Sequence, residues 1–379
     1  MELKFCEKCV LPNTRPFLIF DSQNVCSACR QAEHEVQVDW VAREQEWRQI
    51  VEQTKQKGRR YDCLLPVSGG KDSFWQTLTC LHYGLHPLAF TWRPPCRTLL
   101  GEENLAMLRE LGVDHLDFSV NPRVERIITR RTFEETGADS AMHLAVFTSV
   151  IRHAYQLDIP LVVWSENSAT TYAGVGNPLQ GSDLTIEWVK TLGSTHGKMA
   201  EDWAGEGVTT ADLAAYWCPT QQQLEWGGIR QVFLGYYLDW DGERNYDVAK
   251  AKGFQQAEKP LTGWFPWADL DDPFVVAHHF LKLHKFGFSR VQDNLSQEIR
   301  HGRMRRQDAV DIIGSRPTLL RGDRESLEML CAYVERPLSW LREIVEKFRN
   351  PSIWEKRPDG VWHIPDFLVP GFRWEAVCL

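Results

Sequence analysis

The chain has 379 residues, 43% of them hydrophobic and 25% charged, with a formal net charge of -8. These values suit a globular protein of two or more domains, and the acidity argues against a dedicated nucleic-acid binder, whose domain is usually basic. No apolar run is long enough to span a bilayer, and the opening MELKFCEKC lacks the apolar core of a signal peptide, so a cytoplasmic location with reduced cysteines is expected.

The first thirty residues are turn-rich and carry two Cys-x-x-Cys pairs, Cys6/Cys9 and Cys26/Cys29, separated by the sixteen residues 10–25. Two such pairs grip one tetrahedral zinc, and four thiolates close its shell, so the expected ion is structural. An iron–sulfur cluster calls for other spacings. Val36 to Arg60 is polar with spaced apolar positions at Val41, Trp47, Ile50 and Val51, a helical pattern. Tyr61–Val67 reads as a strand running into the turn Ser68-Gly69-Gly70, and Asp72–Tyr83 as a helix stopped by Gly84. Strands follow at His86–Trp92, His115–Val120 and Pro160–Ser165, with helices between them, the first at Glu102–Leu111. This alternation predicts an α/β fold, a parallel sheet with helices on both faces.

Residues 174–225, rich in Gly, Thr and Trp, read as loops and short helices near a binding face, and Ile229–Leu238 as one more buried strand. Helix signals dominate from Pro273 onward. Lys282–Arg306 holds seven Lys or Arg against two acids, a local net of +5. A solvated helix face and an anion-binding surface both account for that charge, and the interleaved Gly and Phe of KFGFSR set it apart from a plain surface helix.

Between the first strand and its helix stands Ser68-Gly69-Gly70-Lys71-Asp72-Ser73. Two glycines let the backbone wrap an anion, the helix start offers free N–H groups, and Lys71, Ser68 and Ser73 add charge and hydroxyl donors. A carboxylate beside a phosphate is repulsive unless magnesium lies between them, so Asp72 either acts through that ion or caps the helix. The loop is not the Walker type. It resembles the SGGxDS pyrophosphate loop of the ATP pyrophosphatase (PP-loop) superfamily, which includes GMP synthetase, asparagine synthetase, argininosuccinate synthetase and the tRNA thiolation enzymes. That likeness covers roughly residues 58–260 and implies transfer of AMP from ATP to a substrate oxygen with loss of pyrophosphate. The organisation expected is a zinc-binding segment over 1–40, a PP-loop domain over 41–260 and a mainly helical region over 261–379.

Four stretches resemble the N-acetyl sugar amidotransferases, which convert an acetamido group on a bacterial surface sugar into an acetamidino group. They are CEKCVLPNTRPFLIFDSQNVCSAC, PVSGGKDS, SENSATTYAG (with Ser165 where that family usually has Gly) and HKFGFSRVQDNLSQEIRHGRMRRQDAV. The resemblance implies adenylation of the acetamido oxygen, then displacement of AMP by ammonia. It assigns Ser68, Gly69, Gly70, Lys71, Asp72 and Ser73 to the phosphates and magnesium. Thr91 and Trp92, in the crevice where open α/β sheets bind ligands, are expected at adenine. Glu166 and Asn167 are expected beside the reacting carbonyl, although Glu166 also reads as a helix cap or a surface carboxylate. Arg290, Arg300 and Arg306 are candidates for an acidic or nucleotide-linked part of the sugar, or for surface ion pairs.

Ammonia is expected from a separate polypeptide. Met1 is followed by Glu2, and none of Cys63, Cys80, Cys96, Cys218, Cys331 and Cys378 sits on the Gly-flanked strand-to-helix turn that a glutaminase nucleophile needs. The resemblance points to a partner glutaminase and a barrel-like companion related to the pair in histidine biosynthesis. A tRNA thiolation enzyme also combines a cysteine knuckle with an SGGKDS loop. A zinc scaffold with an inactive nucleotide fold is the non-enzymatic alternative.

Overall fold

The computed structural model describes residues 3–35, 38–167, 171, 181–316 and 323–375. Most of SENSATTYAG after Asn167, together with Val36 and Cys378, lies outside the described residues. Five parallel strands form the central sheet: β1 Cys63–Pro66, β2 Pro87–Trp92, β3 Asp114–Phe118, β4 Leu161–Trp164 and β5 Arg230–Phe233. Their order is β3-β2-β1-β4-β5. The chain builds outward from β1 through β2 to β3, then returns to β1's other side for β4 and β5. A crevice therefore opens between the carboxyl ends of β1 and β4, the place where such sheets take ligands.

Burial explains why these short runs are strands. Cys63, Leu65, Ala89 and Val163 face one apolar core, whereas Leu64, Leu88, Phe90, Val162 and Trp164 face the other. Both faces are covered, so the runs read as continuously apolar. The expected strand at Ile229–Leu238 is only half one: Arg230–Phe233 is strand, and Leu234–Tyr237 turns into a single helical turn. Both halves are largely buried, and periodicity cannot divide a uniformly apolar run. Among the described residues, no helix is long and apolar enough to cross a membrane.

After the sheet come the helices Val275–Phe286, Arg290–Arg300, Arg306–Ser315, Arg324–Tyr333 and Leu338–Phe348. A small antiparallel sheet of β6 Glu355–Lys356, β7 Trp362–Ile364 and β8 Trp374–Glu375 follows, which the sequence reading did not anticipate. Its strands are two or three residues long, too short for an alternating pattern. The N-terminal segment shares its core with these helices: Phe5 and Val10 pack with Leu283, Val291 and Leu295, and Phe288 packs among the four N-terminal cysteines.

The helix Pro122–Thr136 carries a buried acid, Glu125, which accepts from the Tyr333 hydroxyl at 3.1 Å. Burial, with a smaller push from Asp139, raises its carboxyl to about 8. The unfolded chain releases that proton near 4.5, so folding stability falls as pH rises between those values. From pH 6.5 to 8, above the range of the buried histidines, Glu125→Gln should flatten the decline by about 1–2 kcal/mol. Urea midpoints measured across that window test this, and identical slopes for the two proteins would refute it.

Candidate active site

The phosphate loop follows β1 directly, at the crevice. Gly69 has φ +82, and a Cβ there would stand 3.0 Å from both the Leu105 side chain and its backbone nitrogen. The loop is thus pressed against the helix Leu99–Arg109 at a point only glycine fits. Gly70 is the N-cap of the helix Lys71–His82 and makes no side-chain cap bond. Ser73 N–H donates to Gly70 O at 2.9 Å, so the helix start presents the N–H groups of Lys71 and Asp72 to an anion. Ser73 Oγ accepts from Ser68 N–H at 3.0 Å, and Ser68 Oγ from Gly70 N–H at 3.3 Å, so the two serines hold the loop's curve.

Asp72 is not a helix cap. One of its oxygens accepts from Trp240 Nε1 at 3.1 Å and Asn245 Nδ2 at 2.9 Å, and the other meets Lys71 Nζ at 2.5 Å. The Lys71 ammonium is largely buried and lies over the Trp267 and Trp240 rings, 4.8 and 5.3 Å from their centroids. Trp240 and Asn245 fix the carboxylate's direction, a role the sequence reading missed. The Trp240-Asp241-Gly242 turn after the last central strand was the available signal.

Two cavities share this loop. One, about 160 Å³, lies between Gly69, Gly70 and Lys71 and the segment Trp267–Asp271, with Arg290 at its wall. The other, about 390 Å³, runs along the carboxyl ends of β1, β2 and β4 past Phe90, Thr91, Trp92 and Trp164 to Glu166. Its apolar walls suit a flat base. The Thr91 hydroxyl donates to Val67 O at 2.6 Å and lies 2.9 Å from His115 Nε2, so it shapes the wall rather than offering a free group. The segment Trp267–Asp271 is pinned beside the loop by Thr98 N–H donating to Asp271 O at 3.1 Å. A Cβ on Gly101 would stand 2.8 Å from Asp271 Cα.

Carboxylates suited to magnesium stand here, spread along the cavities and not gathered into one coordination-sized cluster. Asp72, Asp269 and Asp271 line both loop cavities, and carboxylate oxygens are the donors this ion takes. Burial and then the charge of Asp269 push the Asp271 carboxyl up to about 6, a repulsion that a divalent cation would relieve. Asp269 and Asp271 were not foreseen, although the acids of WADLDD were visible.

Glu166 follows β4, directly across the crevice from the loop. It borders the 390 Å³ cavity, a wide one of about 680 Å³ walled by Phe147, Trp164, Trp188 and Phe286, and a third of about 190 Å³. Its Oε2 is buried with no hydrogen-bond partner among the described residues. Burial raises its carboxyl to about 7, with a further push from Asp72. Asn167 is buried and donates to Gly181 O at 3.2 Å.

The three arginines have separate fates. Arg290 borders the wide cavity and the loop cavity, 3.4 Å from Asp269. Arg300 lines the third cavity and donates to Thr171 O at 3.0 Å. Arg306 lies apart from these cavities: it donates to the carbonyls of Cys6 (3.0 Å), Cys9 (3.1 Å) and Leu368 (3.1 Å). The surrounding positive run is largely engaged internally, with Lys282 on Asp293 and Arg303 on Asp241 and Glu298.

Those carbonyls belong to the cysteine knuckle. The Sγ atoms of Cys6, Cys9, Cys26 and Cys29 all lie within 4.8 Å of one another and are buried, with Cys6–Cys29 at 3.9 Å and Cys9–Cys26 at 3.7 Å. A tetrahedron with Zn–S bonds of about 2.3 Å has S–S edges of about 3.8 Å, so the site has zinc's dimensions. Without a cation the four thiols share their protons unequally, with Cys6 and Cys9 held below the usual thiol range and Cys26 and Cys29 pushed above it, chiefly by the hydrogen bonds among them and by burial.

These features define a parallel α/β protein with an SGGKDS loop at its switch point and a four-cysteine knuckle. Residues 258–367 match a family model described as LPS biosynthesis protein WbpG-like, C-terminal domain. Among solved structures, that of NMN synthetase from Francisella tularensis is similar to the chain at 16% identity, over 59% of this chain and 99% of its own, with a TM-score of 0.28. No curated protein matches it.

Two outcomes are expected. Cys26→Ser should lose zinc and solubility together, while Arg306→Gln should keep the four thiolates yet release zinc to a chelator at least tenfold faster. Metal analysis and chelator kinetics decide, and full metal retention in Cys26→Ser would sink the site. Asp72→Asn keeps the size of the side chain but loses its charge, so half-maximal turnover should need several-fold more magnesium. An unchanged magnesium dependence would remove Asp72 from the metal's shell.

Proposed function

We propose that this protein is an ATP-dependent amidotransferase that turns an acetamido group of a bacterial surface sugar into an acetamidino group, releasing AMP and pyrophosphate. The observation that carries the reading is the meeting of the phosphate loop and Glu166 in one cavity, with two further cavities opening on the same carboxylate. The description of the family model matched by residues 258–367 supports a sugar of lipopolysaccharide.

An amide carbonyl is a poor electrophile, and making its oxygen a phosphate ester creates a good leaving group. In the first step the acetamido oxygen attacks the α-phosphorus of ATP. The bond to the β-phosphate breaks, pyrophosphate leaves, and the amide N–H proton passes to Glu166, whose raised pKa suits a base at neutral pH. Loop N–H groups and Lys71 meet the charge growing on pyrophosphate. Magnesium held at Asp72 or on the Asp269–Asp271 wall would add to that neutralisation when bound. In the second step ammonia adds to the imidate carbon and the C–O bond to AMP breaks. The three hydrogens of ammonia stay on the resulting amidinium. The aromatic walls of the wide cavity suit the sugar's apolar faces.

The ammonia comes from a partner glutaminase working with a barrel-like companion. Incubation with ATP, ammonium salt and a panel of acetamido sugars should give AMP, pyrophosphate and a sugar lighter by about one mass unit. Glutamine should not replace ammonium until the partner is added. ADP as the main product would overturn the adenylation step, and glutamine-driven product from this chain alone would overturn the need for a partner. Thiolated tRNA formed in place of the amidine would move the chain to the thiolation class.

A further inference from the structure

Three reactants must meet at one carbon in the proposed reaction, and three cavities meet at Glu166. The cavity along β1, β2 and β4 touches the phosphate loop, and the wide one has aromatic walls. The third, about 190 Å³, is under a third of the wide cavity's volume and lies on the knuckle side. Ala28 and Ala32 of the helix Ser27–Glu35 line it, with Arg43, Tyr236, Gln297 and Arg300.

Three buried polar atoms on its lining have no hydrogen-bond partner among the described residues: Glu166 Oε2, Gln297 Nε2 and Arg300 Nη1. Orphans of this kind are uncommon in folded proteins and call for a polar occupant. Arg300 is already anchored through its other terminal nitrogen on Thr171 O. Arg43 is fixed by a bond to Tyr236 O at 3.2 Å and by stacking 3.5 Å over the Tyr236 ring. The two guanidinium groups are thus permanent positive charges at set positions.

We propose that this third cavity is the port through which neutral ammonia reaches the activated carbon; the inference rests on the amidotransferase reading above. Neutral ammonia has a lone pair and three N–H bonds, so it accepts from Gln297 or Arg300 and donates to Glu166 Oε2 once that carboxyl has released the amide proton to solvent. Ammonium has no lone pair and leaves both donors unsatisfied; Arg43 and Arg300 repel it while Glu166 and Asp239 on the same lining attract it, so the selection rests on the lone pair. The cavity therefore selects the nucleophilic form from a pool dominated by the cation. Because Glu166 also borders the other two cavities, a molecule that passes Gln297 and Arg300 arrives beside the imidate. Addition forms the C–N bond, the C–O electron pair leaves with AMP, and no proton has to return through the port.

The half-reactions separate the port from the rest of the site. Sugar-dependent exchange of labelled pyrophosphate into ATP needs no ammonia, whereas amidine formation does. Two variants are measured with ammonium chloride at mildly alkaline pH: Ala32→Trp, which narrows the mouth, and Gln297→Leu, which removes one donor at similar volume. Both should exchange pyrophosphate within twofold of the parent while their KM for ammonium rises at least tenfold. A variant that keeps exchange and has its KM within twofold of the parent overturns the port. Should Ala32→Trp fail to fold, Gln297→Leu decides alone. Loss of exchange in both variants overturns the port as well, by giving the cavity to sugar or nucleotide. A parent protein with no sugar-dependent exchange would instead defeat the amidotransferase reading.

Discussion

Asp293 is the residue on which the two ends of the chain close. It is buried on the helix Arg290–Arg300 between Lys282 at 2.7 Å and Arg15 at 3.1 Å. Burial opposes its charge, but Lys282 and Arg15 together hold its carboxyl well below the usual range. Burial in turn lowers Lys282 to about 8. Such a triad adds little net stability compared with apolar packing, yet leaving one member unpaired costs about 3–5 kcal/mol. Its effect here is geometric. Arg15 brings the knuckle, Lys282 the preceding helix, and Asp293 the helix that carries Gln297 and Arg300 to the third cavity.

The central sheet was legible because β1, β2 and β4 are apolar on both faces and bounded by Gly or polar turns. The edge strand β3 is only part-buried and showed through its spacing after Gly112. Helix ends shifted by a few residues, as with Lys71–His82 against an expected Asp72–Tyr83. The phosphate loop and the knuckle were legible because their chemistry is local: six consecutive residues in one, two spaced pairs in the other. What stayed hidden is non-local. Trp240 and Asn245 reach Asp72 across 168 and 173 residues, and the Trp240-Asp241-Gly242 turn marks a site without naming that partner.

The positive run at Lys282–Arg306 shows how a correct count can mislead about a surface. Charge summed along the chain ignores the acids that folding brings in from elsewhere, here Asp241 and Asp269, and the carbonyls of Cys6, Cys9, Thr136 and Thr171 that also take up its donors. The Arg306 guanidinium is the clearest case, a donor fork used on backbone oxygens in place of a ligand.

The bond from Arg306 to the Cys6 carbonyl spans 300 residues. At a synthesis rate of about 5–20 residues per second, the first thiolates emerge about 15–60 s before the side chain that braces them. The knuckle is thus made well before the side chain that braces it, and its cysteines spend that interval exposed to competing metals and oxidants. A nascent or truncated chain also lacks the Trp267–Asp271 wall of the loop cavity, so an interrupted product carries the phosphate loop without the pocket that encloses it. Synthesis past residue 306 is in this sense the condition for both a braced knuckle and an enclosed loop.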